Sequence, residues 1–225
     1  MVLRVCAKQQ GDFLSIISIL LPFFGIFREN LLRVRVADYI SQLLGYEEYA
    51  FSWDELKGKS HKSETALKRE LSRLVKKGEI INLRKGFYII LPPRYRNLGQ
   101  LPVELYINKL FRHLEKTYYL ALYTASKFHG ASHQQVQKDY VMVSPPPVLE
   151  IKKIPVEISF FTASNWPEKN IVQRKSDAGL FNLSSPALTA VDLIYHQSRL
   201  GGINRMLANL EELGEEIKPN DINDL

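Results

Sequence analysis

Four glycines, at positions 45, 58, 78 and 86, cut the stretch after Leu31 into pieces too short for long helices. Each piece carries its own start signal. Leu31 to Leu44 (LLRVRVADYISQLL) places apolar residues at Leu32, Val36, Tyr39, Ile40 and Leu43, the stripe of an amphipathic helix, with Gly45 as its C-cap. Ser52 followed three residues later by Glu55 is a capping box, so a second helix starts there and stops near Gly58. Ser60 or Ser63 caps a third, which runs to about Lys77 and is closed by Gly78. Its apolar stripe is Leu67, Leu71 and Leu74, and Lys62, Thr65, Lys68, Arg69, Ser72, Arg73 and Lys76 share the opposite face. Glu79–Leu83 and Phe87–Ile90 are β-rich runs joined by Arg84-Lys85-Gly86, where Gly86 supplies the positive φ of a tight hairpin turn.

Three short helices with a tight turn before the third, then a hairpin, predict a winged helix-turn-helix over residues 31–96. The charge follows the same boundaries. Residues 51–96 hold twelve Lys or Arg and five acids, so this segment alone carries more than the whole chain's net +6, while residues 1–50 balance to zero. An isolated basic run is usually a solvated face. An excess concentrated on this motif is the footprint of a surface that neutralises phosphates. An α-helix fits the major groove, and its first turns reach base edges. Ser63, Thr65, Lys68 and Arg69 are therefore expected to read bases or adjacent phosphates, with Lys62 beside them. Arg73 and Lys76 are expected on the backbone, and Arg84 and Lys85 at the wing tip on a neighbouring groove. The competing reading is a winged helix used for protein contacts.

Pro92-Pro93-Arg94-Tyr95-Arg96 reads as a stiff connector that cannot extend the wing. Beyond it, residues 97–215 alternate helical and strand-like runs. A helix starts with Pro102 at its first position and runs to about Glu115, and a second runs from Tyr119 to Phe128. Strands are expected at 140–143, 156–161, 171–173 and 180–183. Ser185 then caps a helix with Pro186 at its first turn, and a last helix runs from Ile203 to about Leu213. Helices beside a small sheet give an α+β second domain. The acidic tail, residues 216–225, is expected to be solvated, with fraying from Glu211 onward.

Residues 1–30 stand apart. Phe13 to Phe27 (FLSIISILLPFFGIF) is apolar except for Ser15 and Ser18, and Arg4 and Lys8 precede it. It falls short of the roughly 20 residues of a membrane helix, and Pro22 interrupts it. Three readings stay open: a weak anchor or signal, a helix packed against the protein, or an upstream start codon with the true chain beginning near Leu31.

Little in the chain supports catalysis. The single cysteine, Cys6, allows no internal disulfide and no thiolate cluster, and cysteine poverty fits a reducing cytoplasm. His129 and His133 have the i, i+4 spacing of two metal ligands, but Gly130 interrupts that helix and no third ligand is evident. Asp139 with Glu150 and Lys152 imitates the acid–acid–lysine set of a metal-dependent nuclease, although Pro145-Pro146-Pro147 lies between. Neither a phosphate-binding glycine loop nor a nucleophile–base pair is present. The sequence reads as no enzyme, with no cofactor and no metal.

The runs Tyr119–Gln135 (YLALYTASKFHGASHQQ), Ser184–Ile194 (SSPALTAVDLI) and Gly201-Gly202-Ile203 resemble the AbiE-type antitoxins, the regulator half of a bacterial abortive-infection, type IV toxin–antitoxin pair. With the basic segment included, the likeness covers residues 35–215. It implies a winged helix that represses the operon's own promoter, binding double-stranded DNA with possible self-association, and a second domain that counters a nucleotidyltransferase-like toxin. The chain departs from the family pattern in its apolar N-terminal extension. It also has Ala187 and Leu188 where Glu-Arg would be expected. The alternatives are a winged-helix regulator with an effector-sensing domain and no toxin, and a nuclease using Asp139 and Glu150.

Overall fold

The computed structural model describes residues 35–96, 101–131, 138–218 and 221. Helix α1 (Val36–Gly45) buries Val36, Tyr39, Ile40 and Leu43, the stripe legible in the sequence; residues 31–34 lie outside the described residues. Strand β1 (Ala50–Ser52) leads into α2 (Trp53–Lys59), and the capping box between them is complete. Ser52 Oγ accepts from the Glu55 amide at 3.1 Å, and the Glu55 carboxylate accepts from the Ser52 amide at 2.7 Å. Helix α3 (Glu64–Lys76) starts at Ser63, whose hydroxyl accepts from the Ala66 amide, and it buries Leu67 and Leu71. Each of those leucines stabilises the fold by about 1.5–3 kcal/mol.

Strands β2 (Ile80–Arg84) and β3 (Phe87–Ile90) form an antiparallel hairpin, and β1 pairs with the other side of β3. Phe51 is wholly buried in this unit, edge-on to Tyr39 and stacked on Tyr88. A helical turn, α4 (Pro93–Arg96), follows the hairpin.

The continuous helix expected from Pro102 to Glu115 is instead a 3₁₀ turn, Val103–Leu105, and helix α5 (Ile107–His113). Tyr106 sits between them with φ −136 and ψ −14, outside helical values, and its ring is fully buried. The helix expected over Tyr119–Phe128 also divides, into strand β4 (Tyr118–Leu120) and helix α6 (Leu122–Phe128). Tertiary pairing decides this, because β4 is central to a six-stranded sheet. Its Tyr118 stacks on Phe111 while Tyr119 meets Trp166, and β-prone aromatics fit a pleated surface covered on both faces.

The sheet is completed by β5 (Asp139–Val143), β6 (Ile151–Lys153), β7 (Val156–Thr162), β8 (Ile171–Ser176) and β9 (Gly179–Ser184). Its order is β6-β7-β5-β4-β9-β8. The pairs β5–β7 and β4–β9 are parallel and the rest antiparallel. Strand β6 has no counterpart among the expected runs. Helix α7 (Pro186–Tyr195) begins at Ser185, whose hydroxyl accepts from the Leu188 amide. The short α8 (Gln197–Leu200) and α9 (Ile203–Glu216) follow. Leu213 is fully buried, so the fraying expected from Glu211 does not occur: packing of that side chain holds the helix to Glu216.

One buried cluster joins Ala50, Phe87 and Ile89 of the small sheet to Leu110, Phe111 and Phe160 of the larger unit. Another lies under α7 and α9, around Tyr119, Met142, Leu193, Met206 and Leu213. The architecture is α+β, as the sequence implied. No helix among the described residues is long and apolar enough to cross a membrane. The apolar Phe13–Phe27 segment lies outside the described residues.

Candidate nucleic-acid interface

The apolar side of α3 is fixed by Leu67 and Leu71 in the core, which turns Thr65, Lys68, Arg69, Ser72, Arg73 and Lys76 to solvent. Ser63, as the cap, lies at the exposed start of the same helix. The cations on this face are not equivalent. Lys62 is half-buried and pairs with Glu70 at 2.5 Å, and Glu70 also accepts from the Val36 amide, so this pair fastens α1 to α3. Burial pushes the Glu70 carboxyl up, but the bonds from Lys62 and the Val36 amide outweigh it and hold the group below its ordinary range. Lys68 lies over the Trp53 ring, 5.4 Å from its centroid, and 3.6 Å from Glu64. Among the described residues, no ion pair ties down Arg69, Arg73 or Lys76.

The β2–β3 hairpin tip is arranged differently. Arg84 donates to the Leu149 carbonyl and lies over the Phe160 ring, 5.6 Å from its centroid. Burial pushes its guanidinium pKa down. Gly86 takes φ +75 at the turn, and a β-carbon there would meet Trp53 and His113 at 3.8 and 3.9 Å. The His113 ring also meets Phe87. The hairpin therefore rests on the second half of the chain, with Lys85 exposed beyond it. Lys109 of α5 reinforces the junction by reaching Glu48 at 2.6 Å and Glu55 at 3.4 Å. Nothing in the sequence pattern announced Arg84 or Lys109 as fastenings, because their partners lie 54 or more residues away in the chain.

The other singled-out residues do not assemble a reaction centre. His129 is buried and donates from Nε2 to the Ser184 carbonyl at 2.8 Å, with Arg174 beside Nδ1. Burial, opposed by that bond, pushes its pKa down. His133 lies outside the described residues. Asp139 and Ile151 are both in register with Ile158, on opposite sides of β7, so Asp139 and Glu150 stand roughly two strand spacings apart, ~9.5 Å. Burial pushes Asp139 up to about 7. Glu150 is held near 2 by the Ser159 hydroxyl at 2.6 Å and by Lys152 and Lys138. One carboxyl is buried near Lys127 and Glu104 and the other is neutralised by lysines, and no group of three or more His, Cys, Asp or Glu among the described residues could hold a metal ion.

A feature missed in the sequence lies between α7 and the loop after β7. There a cavity of about 400 Å³ is walled by Trp166, Val191, Tyr195 and His196. At its base the Tyr119 hydroxyl donates to Asp192 at 3.1 Å. Burial, opposed by that bond, pushes the Asp192 carboxyl up to about 7.

Residues 119–225 match the family model of the AbiEi antitoxin C-terminal domain. No curated protein matches the chain. The match starts inside β4 and takes in the rest of the sheet with α6 to α9, including the runs that carried the resemblance in the sequence. The proteins of that family are regulatory, not enzymatic. Over residues 119–225, just under half of its length, the chain is similar to the C-terminal domain of the AbiEi antitoxins.

Proposed function

We propose that the chain is the DNA-binding repressor of its own operon and the antitoxin to a nucleotidyltransferase-like toxin, working in the cytoplasm in an abortive-infection system against phage. In this reading residues 31–96 are a winged helix-turn-helix, with α3 as the recognition helix and the β2–β3 hairpin as the wing. Residues 97–215 answer to the toxin, and copies of the chain associate on the promoter, where two weak contacts reinforce each other through effective concentration.

The observation that carries the DNA-binding half is the exposed face of α3, where Thr65, Lys68, Arg69, Arg73 and Lys76 stand in solvent on a helix anchored by Leu67 and Leu71. Ser63 and Thr65 lie in its first turn, where base edges come within reach. The more distal Arg73 and Lys76 suit phosphates, and Lys62 fixes the helix against α1. At the hairpin, Lys85 is the cation open to a neighbouring groove, while Arg84 sets the position of the tip.

The test is fluorescence anisotropy of the chain on duplex DNA from immediately upstream of its own gene and on a scrambled duplex, each titrated across salt. The expected result is preference for the upstream duplex, with affinity falling by a slope of about 0.9 per neutralised phosphate in log–log form. Equal affinity for both duplexes, or binding to neither, overturns the repressor reading.

A further inference from the structure

Strand β6 is an edge strand of the large sheet, and a two-residue turn, Ile154-Pro155, returns it to β7. Three features of this hairpin are unusual together. Its strand carries Lys152 and Lys153, both exposed. Ile154 at the tip is 100% exposed. The hairpin also borders a groove of about 970 Å³ whose opposite wall is the β2–β3 hairpin, with Arg84 and Lys85. The Arg84 bond to the Leu149 carbonyl ties the two walls together. Four cations, Arg84, Lys85, Lys152 and Lys153, line this groove against one acid, Glu150, which Lys152 meets at 3.0 Å.

Protection of a sheet edge accounts for part of this. Lysines on an edge strand discourage pairing with another chain. That explanation does not reach Ile154, which lies beyond the strand at the turn. Nor does Pro155, which sets this turn, call for a bulky apolar residue before it. A bulky apolar side chain held fully in water between lysines and a proline is a combination that minor-groove proteins use, with cations on the phosphates and an apolar wedge between base steps. Reach is adequate: the five residue steps from Leu149 to Ile154 span at most about 18 Å, about half of the roughly 34 Å turn of a duplex.

We propose that the β6–β7 hairpin is a second DNA-contacting arm, in which Lys152 and Lys153 hold phosphates beside a minor groove and Ile154 wedges between two base pairs. The arm lies in the antitoxin half, so this half would itself contribute to operator binding. Arg84 then acts as a spacer that sets the distance between the two hairpins. The wedge favours pyrimidine–purine steps, which unstack most easily. The proposal rests on the reading of α3 as a recognition helix.

The experiment uses the full chain and upstream duplexes carrying 2-aminopurine at each TA or CA step in turn, with anisotropy across salt on the same duplexes. The expected result is a fluorescence rise at one step with the unaltered chain, lost in Ile154→Ser. In Lys152→Ala/Lys153→Ala the salt slope is expected to fall by about 1.8, which is 0.9 for each of two phosphates. All three substituted positions of the hairpin, these two lysines and Ile154, are exposed, so melting temperatures should stay close to the parent's. No fluorescence rise at any step, a rise that persists in Ile154→Ser, or an unchanged slope in the double variant overturns the arm. If Lys68→Ala/Arg69→Ala abolishes binding while the hairpin variants behave like the parent, the arm alone falls. If the parent binds neither duplex, the recognition-helix reading falls with it.

Discussion

The outer face of α3 and the interior of the second half use charge in opposite ways. On α3, Arg69, Arg73 and Lys76 stand in water with no ion pair among the described residues, at little cost to the fold. In the second half, Asp192 and Asp139 are carried into the protein, where burial pushes both carboxyls up to about 7. Arg84 lies between these cases, basic in the sequence but turned inward onto Phe160 and Leu149. Residue type alone does not separate them. An exposed charge is available to a ligand and nearly neutral for stability, whereas a buried one is paid for in stability and serves the architecture.

The largest expected effect probes the buried side of this contrast. An acid whose folded pKa is raised above its unfolded value of 3.8 keeps its proton in the native state while the unfolded chain releases one. Stability should therefore fall as pH rises from about 4 to about 7, by an amount on the order of a few kcal/mol. Asp192→Asn should flatten much of that decline in urea unfolding measured across pH, with Asp139 responsible for a remainder in the same window. If the variant keeps the parent's pH profile, Asp192 is not paying a burial cost and the contrast fails at that residue.

On the open side, Lys68→Ala/Arg69→Ala should weaken binding to the upstream duplex by about a hundredfold, at 1–2 kcal/mol per lost contact, without moving the melting temperature by more than a degree or two. Anisotropy and thermal melts on the same samples check both halves of that statement. A stability loss with intact DNA binding would make these side chains structural.

The smallest effects sharpen the contrast within one hairpin. Arg84→Ala should cost about 1–2 kcal/mol in denaturant unfolding, from the lost cation–π contact and hydrogen bond. Lys85→Ala next to it should leave stability alone and lower the salt slope by about 0.9. Reversed outcomes would mean that Arg84 swings free of Leu149 when the protein meets DNA.

Much of the first half was legible because its signals are local. Ser52-x-x-Glu55, Ser63 and the Leu67–Leu71 spacing act within one or two turns of helix, and each reappears as a capping bond or a buried residue. Ser185-Pro186 marked α7 for the same reason. The errors fell where distant partners decide. Tyr119 and Leu120 read as the start of an apolar helix until β5 and β9 pair with their strand. Lys152 read as part of a nuclease set with Asp139 and Glu150, because the edge position of β6 depends on β7. The basic face of α3 could be listed residue by residue from the sequence, but the inward turn of Arg84 could not, because Leu149 lies 65 positions away.

The placement of β4 also orders events during synthesis. Its antiparallel neighbour, β5, ends at Val143, but its parallel neighbour, β9, ends only at Ser184. At translation rates of roughly 5–20 residues per second, one side of β4 waits several seconds longer than the other for its mate. During that interval its unpaired backbone is open to whatever strand arrives first, and an emerging chain that stalls before Ser184 would present a half-built sheet to chaperones and proteases.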